Sequence, residues 1–493
     1  MALITSPRNP RSRRLLTATI VVGASVALLA PIGATPAQAS DPFDSDTRPD
    51  LVPALSNYSS LWQTSGVNNL HGTVKDGPTL QWNDRVTSWI NQHATKSQQF
   101  RALQNAAYLS SDGSGYDQSV SIADGLGRSL GALYVKGRID GALPKVSALI
   151  NSSTGTTGAY ISTSSAKAAF SYPRPFLNVD PTASKVEGDT DACAPSKVNG
   201  SSLAAIRKGK KWADATGNLT ITRVPATVDT THEFATTDVT LDPIYGEAGL
   251  CTGGSYPSGH TATAYQAGIT LATLLPELAP QILARASEAG NNRIVLGVHY
   301  ALDIVGGRIS GQVALATRWS DARFRKEVLA PARNELVSYL ESACGASLAT
   351  CIAKDTPYAN NPYGGAKIPG GTAQKVTDRA SALKVYTERL SYGFDPVSST
   401  RLSPSVPKGA EALLRTTFPT LTNKQRRSVL AQTEIASGHP LDTTISSRIG
   451  TAPGSWQRLN LAAAMSATVQ VRADGSVRVL KVGGKATVKP RRK

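Results

Sequence analysis

After an irregular stretch over 40–80, rich in Asp, Pro, Ser and Asn, apolar residues begin to recur at helical spacing from Trp82. Trp82, Val86, Trp89 and Ile90 share one helix face, and Phe100, Leu103 and Ala107 continue the period. The same pattern predicts helices over 122–139, 143–150 and 159–170, the last stopped by Pro173-Arg174-Pro175. Segments 261–275 and 281–296 predict two more. Residues 299–343 predict one or two, with Val328, Leu329, Leu336, Val337 and Leu340 along one side. Polar, glycine-rich stretches at 111–116 and 151–157 read as loops. Between 177 and 250 the helical period fades, and the β-branched runs 220–224 and 236–241 read as short strands or extended loop. A Pro/Gly/Asn stretch at 356–372 reads as a linker. Beyond it lie short helical patterns at 380–390, 410–414 and 423–436, then an alternation over 468–488 that turns at Asp474-Gly475, a hairpin signal. The expected fold is mainly α, a helical domain over 40–355, with a small mixed α/β C-terminal extension over 373–493.

The N-terminus predicts export. A basic stretch ending Arg13-Arg14 meets an apolar run over 15–30, and Ala37-Gln38-Ala39 supplies a small-x-small cleavage pattern, which assigns 1–39 to a signal peptide. The arginine pair leaves both the general secretory and the twin-arginine routes open. No later segment is long and apolar enough to span a bilayer, so the expected product is secreted or extracytoplasmic with no integral span. Four cysteines suit that compartment. Cys344 and Cys351 are close enough for a local loop, which leaves Cys193 for Cys251; none has metal-ligand spacing with histidine.

Charge refines this only a little. Arg8, Arg11, Arg13 and Arg14 precede the first acid, Asp41, and removing those four from the formal net charge of +17 leaves +13. Such a balance suits anionic ligands. No Lys/Arg run has interleaved aromatics, so nucleic acid is not an expected partner.

Three short stretches carry the candidate chemistry. Lys167 is followed after six residues by Arg174-Pro175. Residues 254–261 read Gly-Ser-Tyr-Pro-Ser-Gly-His-Thr. Arg293 is followed after five residues by His299 and after three more by Asp303. Arginine's fork suits two phosphate oxygens, and lysine acts as a point charge. Ser258-Gly259 opens a predicted helix, where backbone N–H groups and the helix dipole favour an anion. Gly297 offers a break, so Arg293 closes one helix and His299 opens the next. His299 and Asp303, four apart, share a face, and the carboxylate can fix the ring's tautomer. In this reading His299 is the nucleophile and His260 the general acid and then base. Lys167, Arg174, Ser258, Gly259 and Arg293 bind the phosphoryl oxygens, with no metal. The tripeptide Ser437-Gly438-His439 lacks that context and reads as a turn.

Lys-x6-Arg-Pro, Pro-Ser-Gly-His and Arg-x5-His-x3-Asp together resemble the type 2 phosphatidic acid phosphatase superfamily, which includes bacterial class A non-specific acid phosphatases and vanadium haloperoxidases. The resemblance covers roughly 100–320. It implies a helical bundle, a metal-independent acid phosphatase acting on small phosphomonoesters through a phosphohistidine, and a cage that phosphate or vanadate would fit. Asn292 stands where the family often has serine. The resemblance leaves three other readings open: a vanadium-dependent haloperoxidase, a phosphatase specific for a lipid or cell-wall phosphate, and a non-catalytic phosphate- or surface-binding protein. It assigns no role to the extension and no oligomeric state.

Overall fold

Asp76 starts the first long helix by capping it, its carboxylate accepting the Thr79 N–H at 3.1 Å, with Pro78 just inside the first turn. The computed structural model describes residues 42–107, 117–198, 200–445 and 454–489. The expected signal peptide and the loop at 111–116 therefore lie outside the described residues.

Helices α1 (Gly77–His93) and α2 (Lys96–Ala106) are joined at Thr95, which caps α2 through the Gln98 N–H. Then come α3 (Arg128–Ile139), α4 (Pro144–Ile150) and α5 (Ser164–Phe170). Two of these are shorter than their patterns suggest. Gly127, at φ +112°, stops the 122–139 run from forming one helix. Thr163 marks the true start of α5, after turns at 152–160.

The centre is built from α6 (Gly259–Leu274), α7 (Ala279–Val295) and α8 (Ala301–Ser320), which pack on one another. Every residue of α7 is buried, polar ones included. Its polar side chains are tolerated because they are bonded: Asn291 to Tyr363, and Arg285 to Asp124, Asn105 and Ser121. Close approach at the α6 start depends on Gly307, where a Cβ would lie 2.7 Å from the Ser258 carbonyl.

Strands are few and short. β1 (Trp62–Thr64) pairs antiparallel with β2 (Gly72–Val74), and β3 (Thr227–Asp229) with β4 (Val239–Leu241). Residues 220–224 form no strand. Two of their N–H groups bond to side chains instead, Thr222 to Asn91 and Val224 to Tyr245. The last sheet, in the order β6-β5-β7, joins β5 (Thr468–Val471), β6 (Val477–Lys481) and β7 (Thr487–Lys489). The β5–β6 hairpin turns at Gly475, φ +80°, as its Asp-Gly signal predicts. A mainly α fold with a small mixed C-terminal region is what the chain adopts.

The described residues of the expected linker and extension pack against the helical region and fall in the same compact unit as it. Tyr363 and Ile368 are buried, and the Thr95 N–H bonds to the Pro362 carbonyl at 3.0 Å. After α9 (Ala330–Cys344), helix α10 (Arg379–Glu388) packs on α7, and helix α11 (Asn423–Thr433) on β6. Arg379 donates to the Glu277 carbonyl at 2.7 Å, and Arg389 to the Ser287 hydroxyl at 3.0 Å. Arg308 of α8 is 0% exposed and reaches the carbonyls of Trp456 and Gln457 at 3.3 and 2.8 Å. The apolar faces that a separate domain would have to hide are thus shared.

Both disulfides have the expected partners, Cys193–Cys251 and Cys344–Cys351. Among the described residues no single helix is long and apolar enough to cross a membrane.

Candidate active site

The three motifs converge, and backbone bonds hold them together. Lys167 sits on α5, whose end is set by Ser171 in the left-handed region, φ 45°. The chain then runs through Tyr172 to Arg174, and the Ser255 N–H bonds to the Tyr172 carbonyl at 2.7 Å. Lys167 Nζ donates to the carbonyls of Gly254 at 2.7 Å and Ser255 at 3.3 Å. The Ser258 N–H donates to the Asp303 carbonyl at 3.0 Å, which fixes the octapeptide to the first turn of α8.

Ser258 caps α6. Its Oγ accepts from the Thr261 N–H at 3.2 Å and the Thr261 hydroxyl at 2.9 Å, so its own hydrogen is available to an anion. At Gly259 a Cβ would lie 3.1 Å from Thr163 Oγ1 and 4.0 Å from Lys167 Cε. A larger residue would crowd the lysine.

Arg293 lies in the last turn of α7, and His299 just before α8. The break between them is at Gly297, as the sequence suggests. It adopts φ +68°, and a Cβ there would meet Ile221 Cγ2 at 2.3 Å. Asn292 bonds to Gln98 at 2.6 Å and Asn105 at 2.8 Å, which fixes the turn that carries Arg293.

His299 is 2% exposed and Asp303 fully buried. The ring's Nδ1 lies 3.1 Å from Asp303 Oδ2, which also accepts the Tyr300 N–H at 2.8 Å. Its Nε2 lies 3.1 Å from Arg174 Nη1. A guanidinium only donates, so Nε2 accepts and Nδ1 carries the hydrogen. This tautomer leaves a lone pair on Nε2, facing the cations. Arg174 is anchored by the carbonyls of Leu250 at 2.7 Å and Val298 at 3.0 Å.

His260 is half-buried at the second position of α6, and its Nε2 lies 3.3 Å from the Ala106 carbonyl. A carbonyl only accepts, so Nε2 holds a hydrogen and Nδ1 is the nitrogen that gains and loses a proton.

Burial and mutual repulsion set the electrostatics. Burial pushes Lys167 well below the usual ammonium range, and Arg174 adds to the effect. Arg174 is lowered to about 9 by burial and by Arg293. His260 and His299 are both held well below 6.5 by burial and then by the cations, Arg293 foremost for His260 and Arg174 for His299. Burial pushes Asp303 up, opposed by the Tyr300 N–H and by Lys167 and Arg174. An anion entering the site would oppose each of these cation and histidine shifts.

Sequence reasoning missed the floor of this site. Tyr58 stacks on Tyr256, centroids 3.8 Å apart, and meets Phe170 and Tyr172 edge-on at 5.8 and 5.5 Å. Tyr172 in turn meets Tyr300 at 5.2 Å. Phe170, Tyr172, Tyr256 and Tyr300 each lie within three residues of a motif position. Their presence in all three motifs was the available signal. Tyr58, remote in sequence, gave none.

The sequence pattern of the PAP2 superfamily matches residues 148–326, which include all three motifs. An acid phosphatase of Zymomonas mobilis subsp. mobilis is 37% identical over 110 residues, covering 22% of this chain and 41% of that protein. A non-specific acid phosphatase of Providencia stuartii is 38% identical over 79 residues, 16% of this chain and 32% of its own. One from Salmonella typhi is 39% identical over 83 residues, 17% and 33%. The chain therefore spans between about a third and two fifths of these relatives' lengths. With motifs, geometry and pattern in agreement, this chain carries a PAP2 superfamily domain.

Proposed function

We propose that the protein is a secreted phosphomonoesterase that works through a phosphohistidine and needs no metal. The observation that carries this reading is the tautomer of His299, with Nδ1–H on Asp303 and the Nε2 lone pair beside Arg174. In the first step Nε2 attacks phosphorus, a P–N bond forms, and the P–O bond to the leaving group breaks. His260 gives its Nδ1 proton to the departing alkoxide. In the second step His260 takes a proton from water, the oxygen attacks phosphorus, and the P–N bond breaks to release phosphate. Lys167, Arg174, Arg293, the Ser258 hydroxyl and the N–H groups opening α6 stabilise the equatorial oxygens.

The repulsion described above gives the cycle its order. With no anion bound, both rings are neutral, which suits His299 and not His260. A phosphate dianion offsets the cations and recharges His260, so substrate entry prepares its own acid. The predicted signal segment at 1–39 and the two disulfides support an extracytoplasmic location.

The test is a panel of small phosphomonoesters assayed with EDTA. Hydrolysis is expected to persist, and His299→Ala to lower kcat by at least ~10⁴-fold without changing the unfolding temperature. Loss of activity in EDTA, or an active His299→Ala protein, would overturn the mechanism.

A further inference from the structure

Charge is divided unevenly along this chain. Residues 40–372 hold 28 Lys/Arg and 28 Asp/Glu, whereas 373–493 hold 20 Lys/Arg and seven Asp/Glu. The whole surplus beyond the signal segment therefore lies in the C-terminal stretch. Some of its cations are internal: Arg379, Arg389 and Arg426 bond to carbonyls, and Arg458 faces Glu434. Ten others among the described residues are exposed, and six of these lie on or beside the last sheet and the helix packed on it: Lys424, Arg472, Arg478, Lys481, Lys485 and Lys489. Among the described residues, the salt bridges of this stretch are Arg427–Glu411 and Arg458–Glu434, and none of the six takes part.

Strand register puts two of them in one row. Gln470 pairs with Arg478 on one side and with Lys489 on the other. Neighbouring Val469, Val479 and Val488 form a row on the opposite face, where Val469 is fully buried. The Arg478–Gln470–Lys489 row is thus the outer face of the β6-β5-β7 sheet. At its end Leu480 and Val482 are 41% and 42% exposed, in sequence with Lys481 and Lys485.

We propose that this outer face docks the protein on an anionic lipid surface. Cations alone would suit any polyanion. Exposed aliphatic side chains set among lysines suit a bilayer, where they enter the headgroup boundary while lysine stems lie flat and ammonium groups meet phosphate. The same stretch of sheet offers no aromatic ring for stacking a nucleic-acid base. The surface is independent of the chemistry at His299 and belongs to the region for which the motifs supply no role.

The test is sedimentation of the purified protein with phosphatidylcholine vesicles, with or without one third phosphatidylglycerol. Binding is expected to need the anionic lipid at about 50 mM salt and to be lost at about 0.5 M. At about fivefold per basic side chain, Lys481→Glu/Lys485→Glu/Lys489→Glu should weaken binding at least ~100-fold and leave phosphomonoester hydrolysis unchanged. Leu480→Ser/Val482→Ser should weaken vesicle binding about tenfold and leave binding to soluble polyphosphate unchanged. Should the charge-reversed protein unfold, Lys481→Gln/Lys485→Gln/Lys489→Gln decides, with a loss of about 100-fold expected from the three charges removed. Equal binding to neutral vesicles, wild-type binding by the glutamine variant, or no effect of the two serines with polyphosphate or duplex DNA bound as tightly as vesicles would each overturn the proposal.

Discussion

Arg174 and Arg285 are both buried arginines, 6% and 1% exposed, yet their surroundings are opposite in kind. Arg285 belongs to a balanced set, bonded to Asp124 at 2.7 Å, with Arg101 joining both Asp124 and Glu288. Burial raises the Asp124 carboxyl, but Arg101 and Arg285 outweigh it and bring it to about 2. Arg174 instead donates to carbonyls and a neutral ring, and burial, with Arg293 repelling it, lowers its pKa. Depth and residue type do not separate the two. Charge balance does: one cluster is complete as folded, and the other is left with cations that the proposed phosphate would balance.

The largest effects should come from unbalancing each cluster in turn. Asp124→Asn leaves the buried Arg285 and the half-buried Arg101 short of a partner and should cost about 3 kcal/mol of stability, with KM unchanged. Arg174→Met should do the reverse, lowering kcat/KM about 10²–10³-fold and abolishing the rise in unfolding temperature on adding phosphate. If both variants moved stability alone, the distinction would fail.

The two disulfides sharpen the same contrast at smaller scale. Cys193–Cys251 closes 58 residues and ends beside Leu250, whose carbonyl anchors Arg174; Cys344–Cys351 closes seven. Loop entropy puts their loss at about 4 and about 2 kcal/mol respectively. Serine replacement of the first pair should also raise KM, and of the second should not. Chemical denaturation with parallel kinetics checks both.

The smallest effect is a proton. His260 is depressed in the ligand-free protein, so it takes up a proton if phosphate raises its pKa through the ordinary value of 6.5. Calorimetry in buffers of different ionisation heat should show uptake of about half a proton or more near that pH. Uptake should vanish in His260→Ala. Asp124, lowered by its partners, contributes stability that is present above its unfolded value of 3.8 and is lost as pH falls towards about 2. The balanced cluster should therefore be silent where the phosphate cluster titrates.

These features differ in how far the sequence announced them. The motif residues were legible because phosphate chemistry demands particular groups at particular spacings, and the break between Arg293 and His299 was marked by Gly297. The hairpin at Asp474-Gly475 was legible for a similar local reason. Tyr58 was not, because stacking on Tyr256 is a contact across about 200 residues with no periodic trace. The shared core was also hidden. A run of proline, glycine and asparagine reads as a linker whether it crosses solvent or, as here, follows the surface of α1 and α2 with Tyr363 inserted. Arg285 and Arg293 look alike in the sequence of α7; what tells them apart is Asp124, brought to Arg285 from the turn after residue 122.

Arg308 carries a consequence for any attempt to trim this chain. Its guanidinium sits inside the molecule on carbonyls contributed by residues 456 and 457. A fragment ended near 355, where the helical motifs stop, would strand a permanent positive charge in an apolar wall and bare the flank of the helix that presents His299. The segment after 372 is a keystone for the catalytic helices, and shortening the protein to the span matched by its relatives should yield aggregate rather than a minimal enzyme.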